Sequence, residues 1–306
     1  MKMNRISLLF VMILLTCSCG NRQNQLRQRA AELCQYIPDH QLLERSRDYM
    51  TADFYALLDT LFNLPEHEAM DHEWRYYFVT GNGGTIADYE VVSVNQIDAS
   101  HAEATINVRQ RWEDGSFDPA TDVEEHQMLM ELVEGQWLMA DFDGHKADCI
   151  RHIAISRREE AVRQAVTDYL VSELGARYLQ GQLCVPSLMF VSEEEERVWG
   201  DFWIFWYNIE GDTLMTVSGG NHSGCMTLVR QGDAYTVSAF EQTTDGAGFE
   251  ASAKRIFGPH YELFSEMHAN HEVSEAVRRE QLADYVRLHK FAVHYYKDYG
   301  WPAIAL

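Results

Sequence analysis

The side chains of this sequence that can move protons or hold metals are scattered, and their spacing limits what each can do. Asp141 and Asp143 end an apolar, alternating stretch. If that stretch is a strand, period two puts both on one face with Trp137 and Met139. A carboxylate held inside an apolar cavity acts as a general base, its pKa raised by desolvation. The developing oxyanion then needs a donor, for which Tyr76, Tyr77 and His126 are the candidates. The competing reading is that both aspartates mark the solvated end of a strand beside Gly144. His67 and His72 stand amid Glu66, Glu68, Asp71 and Glu73 but lack the i, i+4 pair with a placed carboxylate that zinc peptidases use, so an acidic loop is expected. His268 and His271 are three apart and could share a helix face; they read as exposed polar residues near a helix junction. No Gly-x-Ser-x-Gly elbow and no Walker loop occurs. The glycine-rich run Gly219-Gly220-Asn221-His222-Ser223-Gly224 lies between two strand patterns and reads as a long hairpin loop. No metal and no cofactor is expected.

One strand pattern stands apart. Asp201-Phe202-Trp203-Ile204-Phe205-Trp206-Tyr207 places Trp203, Phe205 and Tyr207 on one face and Phe202, Ile204 and Trp206 on the other. A strand apolar on both faces is covered on both faces. One side should meet the helix expected over 155–179. The other meets the C-terminal helix, the first half, or a ligand, because aromatic platforms bind sugars and flat apolar molecules as well as forming cores.

The elements that must position these groups follow from periodicity. Residues 25–36 read as a helix stopped by Pro38, and 41–64 as one or two helices with Leu42, Leu43, Tyr49, Phe54, Leu57, Leu58 and Leu61 at near-helical spacing. Thr51 to Asp53 can cap the second piece. After an extended 73–80 and the turn signal Gly81-Asn82-Gly83-Gly84 come strands over 89–96, 102–112, 125–133 and 136–142. Glu134-Gly135 is a tight hairpin signal between the last two. The second half repeats the order. A helix over 155–179 precedes strands over 182–191, 198–209, 214–218, 225–230 and 234–240, with turns at Gly211-Asp212 and Gln231-Gly232-Asp233. A C-terminal helix over 277–299 carries Leu282, Tyr285, Val286, His289, Ala292, Val293 and Tyr296 as its stripe. Helices followed by antiparallel meanders give an α+β class with two domains, each with helices packed on a curved antiparallel sheet.

The chain has 306 residues, 46% of them hydrophobic and 24% charged, with 25 Lys plus Arg against 47 Asp plus Glu and a formal net charge of -22. A surface this acidic repels a phosphate backbone, so no nucleic-acid partner is expected. At the N-terminus, Lys2 and Arg5 precede the apolar run 6–16, about 17 Å long as a helix and too short for a bilayer core of roughly 30 Å. It has the proportions of a secretory h-region. Thr16-Cys17-Ser18-Cys19-Gly20-Asn21 follows and resembles the lipobox of bacterial lipoproteins, with Cys19 as the acylated residue because Ser18 is the better small residue before the cut. The resemblance implies a signal peptide over 1–18, a lipid-anchored linker over 19–24 and attachment to the membrane through the N-terminal lipid. Gly20-Asn21 rather than Asp after the Cys implies the outer membrane, and the lack of an acidic run implies a periplasm-facing position.

Cys34, Cys149, Cys184 and Cys225 remain in a compartment that permits disulfides. They allow three pairings, of which one per domain, Cys34 with Cys149 and Cys184 with Cys225, is the simplest. In the first half, the helix segment Tyr49-Met50-Thr51-Ala52-Asp53-Phe54-Tyr55-Ala56-Leu57-Leu58 and the closing strand Gly135-Gln136-Trp137-Leu138-Met139-Ala140-Asp141-Phe142 resemble the nuclear-transport-factor-2-like, or cystatin-like, cone over 25–150. That fold hosts isomerases, dehydratases, inhibitors and binding modules. The second half, 151–306, carries Asp245-Gly246, Phe249, Ser252 and Ile256-Phe257 at a spacing similar to an uncharacterised domain of bacterial exported proteins, with Gly258 where that family has Pro. Together these imply a periplasm-facing envelope protein that binds a small ligand or protein partner without catalysis. Its cavity is expected in the first-domain cone near Tyr76, Trp112, Trp137 and Asp141. The alternatives are a cone-fold enzyme using a buried carboxylate, and a surface glycan-binding lipoprotein.

Overall fold

A two-residue turn with both residues at positive φ matches the twist of the strands it joins. Glu134 (φ 50) and Gly135 (φ 85) form such a turn. They close a hairpin between strands β3 (Val123–Val133) and β4 (Gln136–Phe142). With β1 (Thr85–Gln96) and β2 (His101–Arg111) these form a four-stranded antiparallel meander in the order β1-β2-β3-β4. The structure, a computed structural model, describes residues 22–37, 43–64, 85–111, 115–120 and 122–306. Two compact units divide between Ser156 and Arg157.

The first unit buries one face of its meander. Ala102, Ala104, Ile106 and Val108 alternate along β2 and are fully buried, as are Met128 and Met130 opposite them on β3. Helices supply the covering layer. Leu26, Ala30 and Leu33 recur at i, i+4 and i+7 in the helix over 22–33, and Phe54, Leu58 and Leu61 do so in the helix Ala52–Phe62. Those spacings place each set on one helix face. The arrangement is the helices-on-meander α+β architecture.

β4 departs from simple alternation. A bulge shifts the pairing between Leu129 opposite Asp141 and Met130 opposite Met139. One extra residue moves every later side chain to the other face. Met139 and Phe142 therefore both reach the core, while Asp141 leaves the face it was expected to share with Trp137 and Met139.

In the second unit a sheet runs β10-β9-β7-β6-β5, with β8 pairing the far end of β7. Its strands are β5 (Leu183–Glu193), β6 (Arg197–Glu210), β7 (Thr213–Gln231), β8 (Ala234–Gln242), β9 (Tyr295–Lys297) and β10 (Ile304–Ala305). The turns at Gly211 and Gly232 have positive φ. The glycine-rich run is not a loop: β7 is continuous through it. Its glycines sit where neighbours already fill the Cβ position. A Cβ on Gly220 would stand 2.0 Å from Tyr178 Oη, one on Gly219 2.7 Å from the Phe205 ring, and one on Gly224 2.1 Å from the Glu241 carbonyl oxygen. Close approach of a ring or a backbone is the usual reason for glycine inside a strand.

β6 is covered on both faces. Phe202 and Ile204 pack with Val162, Val166, Leu170 and Leu174, from the later turns of the helix His145–Tyr169 and the π-helical turn Leu170–Leu174 after it. The opposite face is covered in two pieces. Trp199 packs with Ile256, Phe257 and Phe264, from the helices Phe249–Phe257 and Tyr261–Ala269. Tyr207 packs with Leu282 and Val286 from the helix His271–Leu288, and with Val293 and Tyr296 beyond it. That helix also caps the free edge of β5: Gln281 Nε2 donates to the Leu188 carbonyl (2.9 Å), and Leu188 N–H donates to Gln281 Oε1 (2.8 Å). This pairing satisfies the outward backbone groups of one residue on that edge.

The C-terminal helix is shorter than its apolar pattern suggests. It ends at Leu288, where Lys290 takes φ 55, Phe291 N–H donates to the Val286 carbonyl and Lys290 N–H to the Arg287 carbonyl. This is a Schellman stop with lysine in the place usually held by glycine. Tyr296 thereby becomes a strand residue in β9, parallel to the start of β7.

Candidate ligand pocket

Between the two covers of that β6 face lie Asp201, Trp203 and Phe205. A pocket of about 560 Å³ opens over Trp203 and Phe205. That volume is within the range of small-molecule sites. Its floor is Ser187 of β5 with Trp203 and Phe205 of β6, one wall is the helix side carrying His271, Ser274, Glu275 and Arg278, and the other is the tail from Asp298 through Trp301 to Ile304.

The indole is fixed by stacking. Trp203 and Phe205 are parallel, 3° apart with centroids at 5.7 Å, and Arg278 lies over Phe205 with its guanidinium carbon 3.8 Å from the ring centroid. Gly219, paired with Phe205 across β6 and β7, leaves the space that the phenyl ring needs. Arg278 is buried and makes four hydrogen bonds: Nε to Tyr207 Oη (3.0 Å), Nη1 and Nη2 to the two oxygens of Asp298 (2.9 and 2.8 Å), and Nη2 also to Thr216 Oγ1 (2.9 Å). The guanidinium holds the Asp298 carboxyl below the usual carboxylate range, and burial pushes the Tyr207 hydroxyl up. The pair neutralises itself, and Arg278 acts as a strut.

Two polar atoms of the pocket residues remain without partners. Trp203 Nε1 and Glu275 Oε1 are both buried and make no hydrogen bond. Leaving such atoms unpaired costs about 1–3 kcal/mol each; both are covered by the protein itself although the pocket beside them is open. Trp301, at 71% exposure, stands at the rim.

Beside the pocket on the same β6 face, Asp201 is buried and accepts from Ser223 Oγ (2.6 Å), His268 Nδ1 (2.9 Å) and Asn221 Nδ2. Burial alone would raise this carboxyl, but the three donors outweigh it and hold it low; Asp201 in turn raises His268. The aspartate is the hub, and Ser223 donates to it rather than to the histidine. This arrangement orders the strands and does not activate a nucleophile, which needs a base accepting the serine proton. His268 and His271 do not share a helix face. Asn270 ends one helix and caps the next through its side chain, which accepts from Val273 N–H (3.2 Å). His268 thus faces Asp201 while His271 lines the pocket.

In the first unit, Asp141 Oδ1 accepts from the backbone N–H of Phe142 (2.7 Å) and of Lys146 (3.0 Å), so it caps the following helix rather than lining a cavity. Trp137 packs against the core, and its carbonyl accepts from Arg29 Nε (2.7 Å). Asp143 (φ 51) pairs with the buried His126, Oδ2 to Nδ1 at 2.5 Å, and accepts from Gln127 N–H (2.6 Å). Burial works against the Asp143 carboxylate, but these bonds hold its pKa low, opposite to what a general base at neutral pH needs. Tyr76, Tyr77, Trp112, His67, His72 and Cys19 lie outside the described residues. Among the described residues no cluster of three metal-ligating side chains occurs, and no helix is long and apolar enough to cross a membrane.

Neither expected disulfide is present: Cys34, Cys149, Cys184 and Cys225 are free thiols. For the second pair the sheet register gives the reason. Cys184 lies opposite Trp206 and Cys225 opposite Trp199, seven positions apart along β6. At about 3.3 Å per residue that is far beyond the reach of a bridge. Cys34 and Cys149 share the first unit's apolar core, where burial pushes both thiols up to about 12.

No family model and no curated protein matches this chain. A solved structure of an NTF2-like protein involved in plasmid conjugation aligns with 72% of this chain and 96% of its own length, at 12% identity and a TM-score of 0.25. A likeness that low carries no argument about function.

Proposed function

We propose that this chain is a lipid-anchored protein of the bacterial envelope, facing the periplasm, that binds a small ligand in its second unit and performs no chemistry on it. The observation behind the binding reading is the ligand-sized pocket floored by the parallel Trp203 and Phe205 rings, with the exposed Trp301 at its rim. Against catalysis stands the use of the neighbouring groups: Arg278 is paired with Asp298, and Ser274 Oγ donates to the His271 carbonyl instead of to a base. We read the first unit as an NTF2-like cone whose described core is filled by its own Phe54, Phe142 and methionines. The anchor rests on the lipobox at Cys19.

Two experiments test these parts separately. Ligand-observed NMR with a fragment library should give hits that Trp203→Ala and Trp301→Ala both lose. Hits that bind the variants as well as the natural chain overturn the pocket. Cys19→Ala should release the protein from membranes, and a variant that still sediments with them after a salt wash overturns the anchor.

A further inference from the structure

We infer that the ligand of this pocket is a small organic ammonium ion. This rests on the binding reading above and narrows it to one chemical class.

The charges of the lining give the first reason. Arg278 and Asp298 neutralise each other through two hydrogen bonds, and His271 counts as neutral in the formal charge. Glu275 is then the charge left over. Among the described residues its carboxylate makes no ion pair and no hydrogen bond. Its Oε1 is enclosed by the protein, whereas Oε2 is not, so Oε2 is the oxygen a ligand can approach. A neutral ligand leaves that charge uncompensated. An anion gains the one N–H that Arg278 does not use, but it brings another negative charge beside Glu275 and Asp298 without another positive one. A cation supplies the missing counter-charge, and a chain of formal net charge -22 draws cations toward its surface.

The rings decide which kind of cation. The floor is aromatic, and the protein already seats one cation on it: the Arg278 guanidinium lies 3.8 Å from the Phe205 centroid. Trp301 at the rim, 71% exposed, offers an indole to a second. The negative face of an indole attracts ammonium groups more strongly than other side-chain rings do. An ammonium that carries methyl or methylene groups also buries those groups against the rings, which a bare metal ion cannot do. Metal ions need several oxygen, nitrogen or sulfur ligands, and among the described residues no cluster of three such side chains occurs. The volume of about 560 Å³ likewise suits a molecule of several carbons.

The test uses the full chain and probes of one shape that differ in charge: choline, its neutral carbon isostere 3,3-dimethylbutan-1-ol, and the anion 3,3-dimethylbutanoate. Each is titrated by ligand-observed NMR and by tryptophan fluorescence. Choline should bind more tightly than both others. Glu275→Gln keeps the shape and removes the charge, and should weaken choline about fivefold or more, the contact value of one ion pair even at the dielectric of water. It should leave the neutral isostere within about twofold. The substitution changes the formal charge of -22 by one unit, too little for the field of the whole surface to produce that loss. The variant should also melt no lower than the natural chain, because the carboxylate has no partner to lose; that separates a binding role from a structural one. Trp301→Leu keeps apolar bulk but removes the indole, and should weaken choline by about twofold to fivefold, more than it weakens the isostere. An isostere as tight as choline, an anion tighter than choline, choline indifferent to Glu275→Gln, or fragments occupying the pocket while choline does not, each overturns the ammonium inference and leaves the pocket reading intact. If neither these probes nor fragments bind, the pocket reading itself fails.

Discussion

Replacing Arg278 with Met should loosen the second unit by roughly 3 kcal/mol, and the structure shows where that figure comes from. The methionine keeps much of the aliphatic stem but removes the donors to Tyr207, Asp298 and Thr216. Tyr207 is fully buried, so its hydroxyl is left unpaired at about 1–3 kcal/mol. The guanidinium contact with Phe205 at 3.8 Å contributes about 0.5–2 kcal/mol. Breaking a fully buried ion pair would cost about 3–5 kcal/mol. Asp298, however, keeps 39% exposure of its side chain and rehydrates once released, so the ionic part is well below that range. For a unit of this size, a loss near 3 kcal/mol lowers the melting temperature by roughly 6–12 °C.

Urea and thermal unfolding followed by tryptophan fluorescence reads this change, since Trp199, Trp203, Trp206 and Trp301 all report on the second unit. Asp298→Asn should cost less than Arg278→Met, and the double variant less than the sum, because the two residues share one network. The acid limb gives an independent check. Arg278 depresses the folded pKa of Asp298. That stabilisation is therefore complete above the unfolded carboxylate value of about 3.9 and is lost as pH falls through the lower folded value. The gap between natural chain and variant should narrow in that window. A variant melting within about 1 °C of the natural chain would refute the reading of Arg278 as the strut between helix, tail and sheet, since even one broken hydrogen bond predicts more.

Three further outcomes are expected. After denaturation without reductant, Cys34, Cys149, Cys184 and Cys225 should all alkylate, whereas Cys34 and Cys149 should resist in the native protein at pH 8; a peptide that labels only after reduction refutes the free-thiol assignment. Asp201 raises the folded pKa of His268, so the stability that His268→Ala removes should be fully present below the unfolded value of about 6.5 and fade as pH rises through the higher folded one; a pH-independent difference counts against that pair. Gly224→Ala, which meets the Glu241 backbone, should cost about 2–3 kcal/mol, and Gly220→Ala, which meets the tip of the Tyr178 ring, about 1 kcal/mol; equal losses in urea unfolding would show that β8 yields as easily as a side chain.

Much of the framework was legible because local chemistry and tertiary structure agree there. Glu134-Gly135 demanded a tight turn, and the apolar period of the helix Ala52–Phe62 matched the face it buries. Two of the failures, at the β7 glycines and in β4, have one cause, a local signal overridden by a distant neighbour. The glycines of β7 looked like a loop because the rings and carbonyl that occupy their Cβ space come from Tyr178, Phe205 and Glu241. Lys290 gave no stop signal, since a positive φ at lysine is imposed by the bonds to Val286 and Arg287 that close the helix. Period two placed Asp141 beside Met139, but the bulge that separates their faces belongs to the pairing with β3.

The pocket was half legible for the same reason. The strand 201–207 announced two covered faces, and Trp203 and Phe205 were correctly placed together on one of them. What opens that face is the way its cover is divided. One pair of helices ends over Trp199 and Asp201, and the next cover is anchored over Tyr207 by Arg278 and the returning tail. Asn270 makes the break between them, stopping one helix and starting another within a single residue. The pocket thus opens where a capping residue interrupts the helical cover above an aromatic strand.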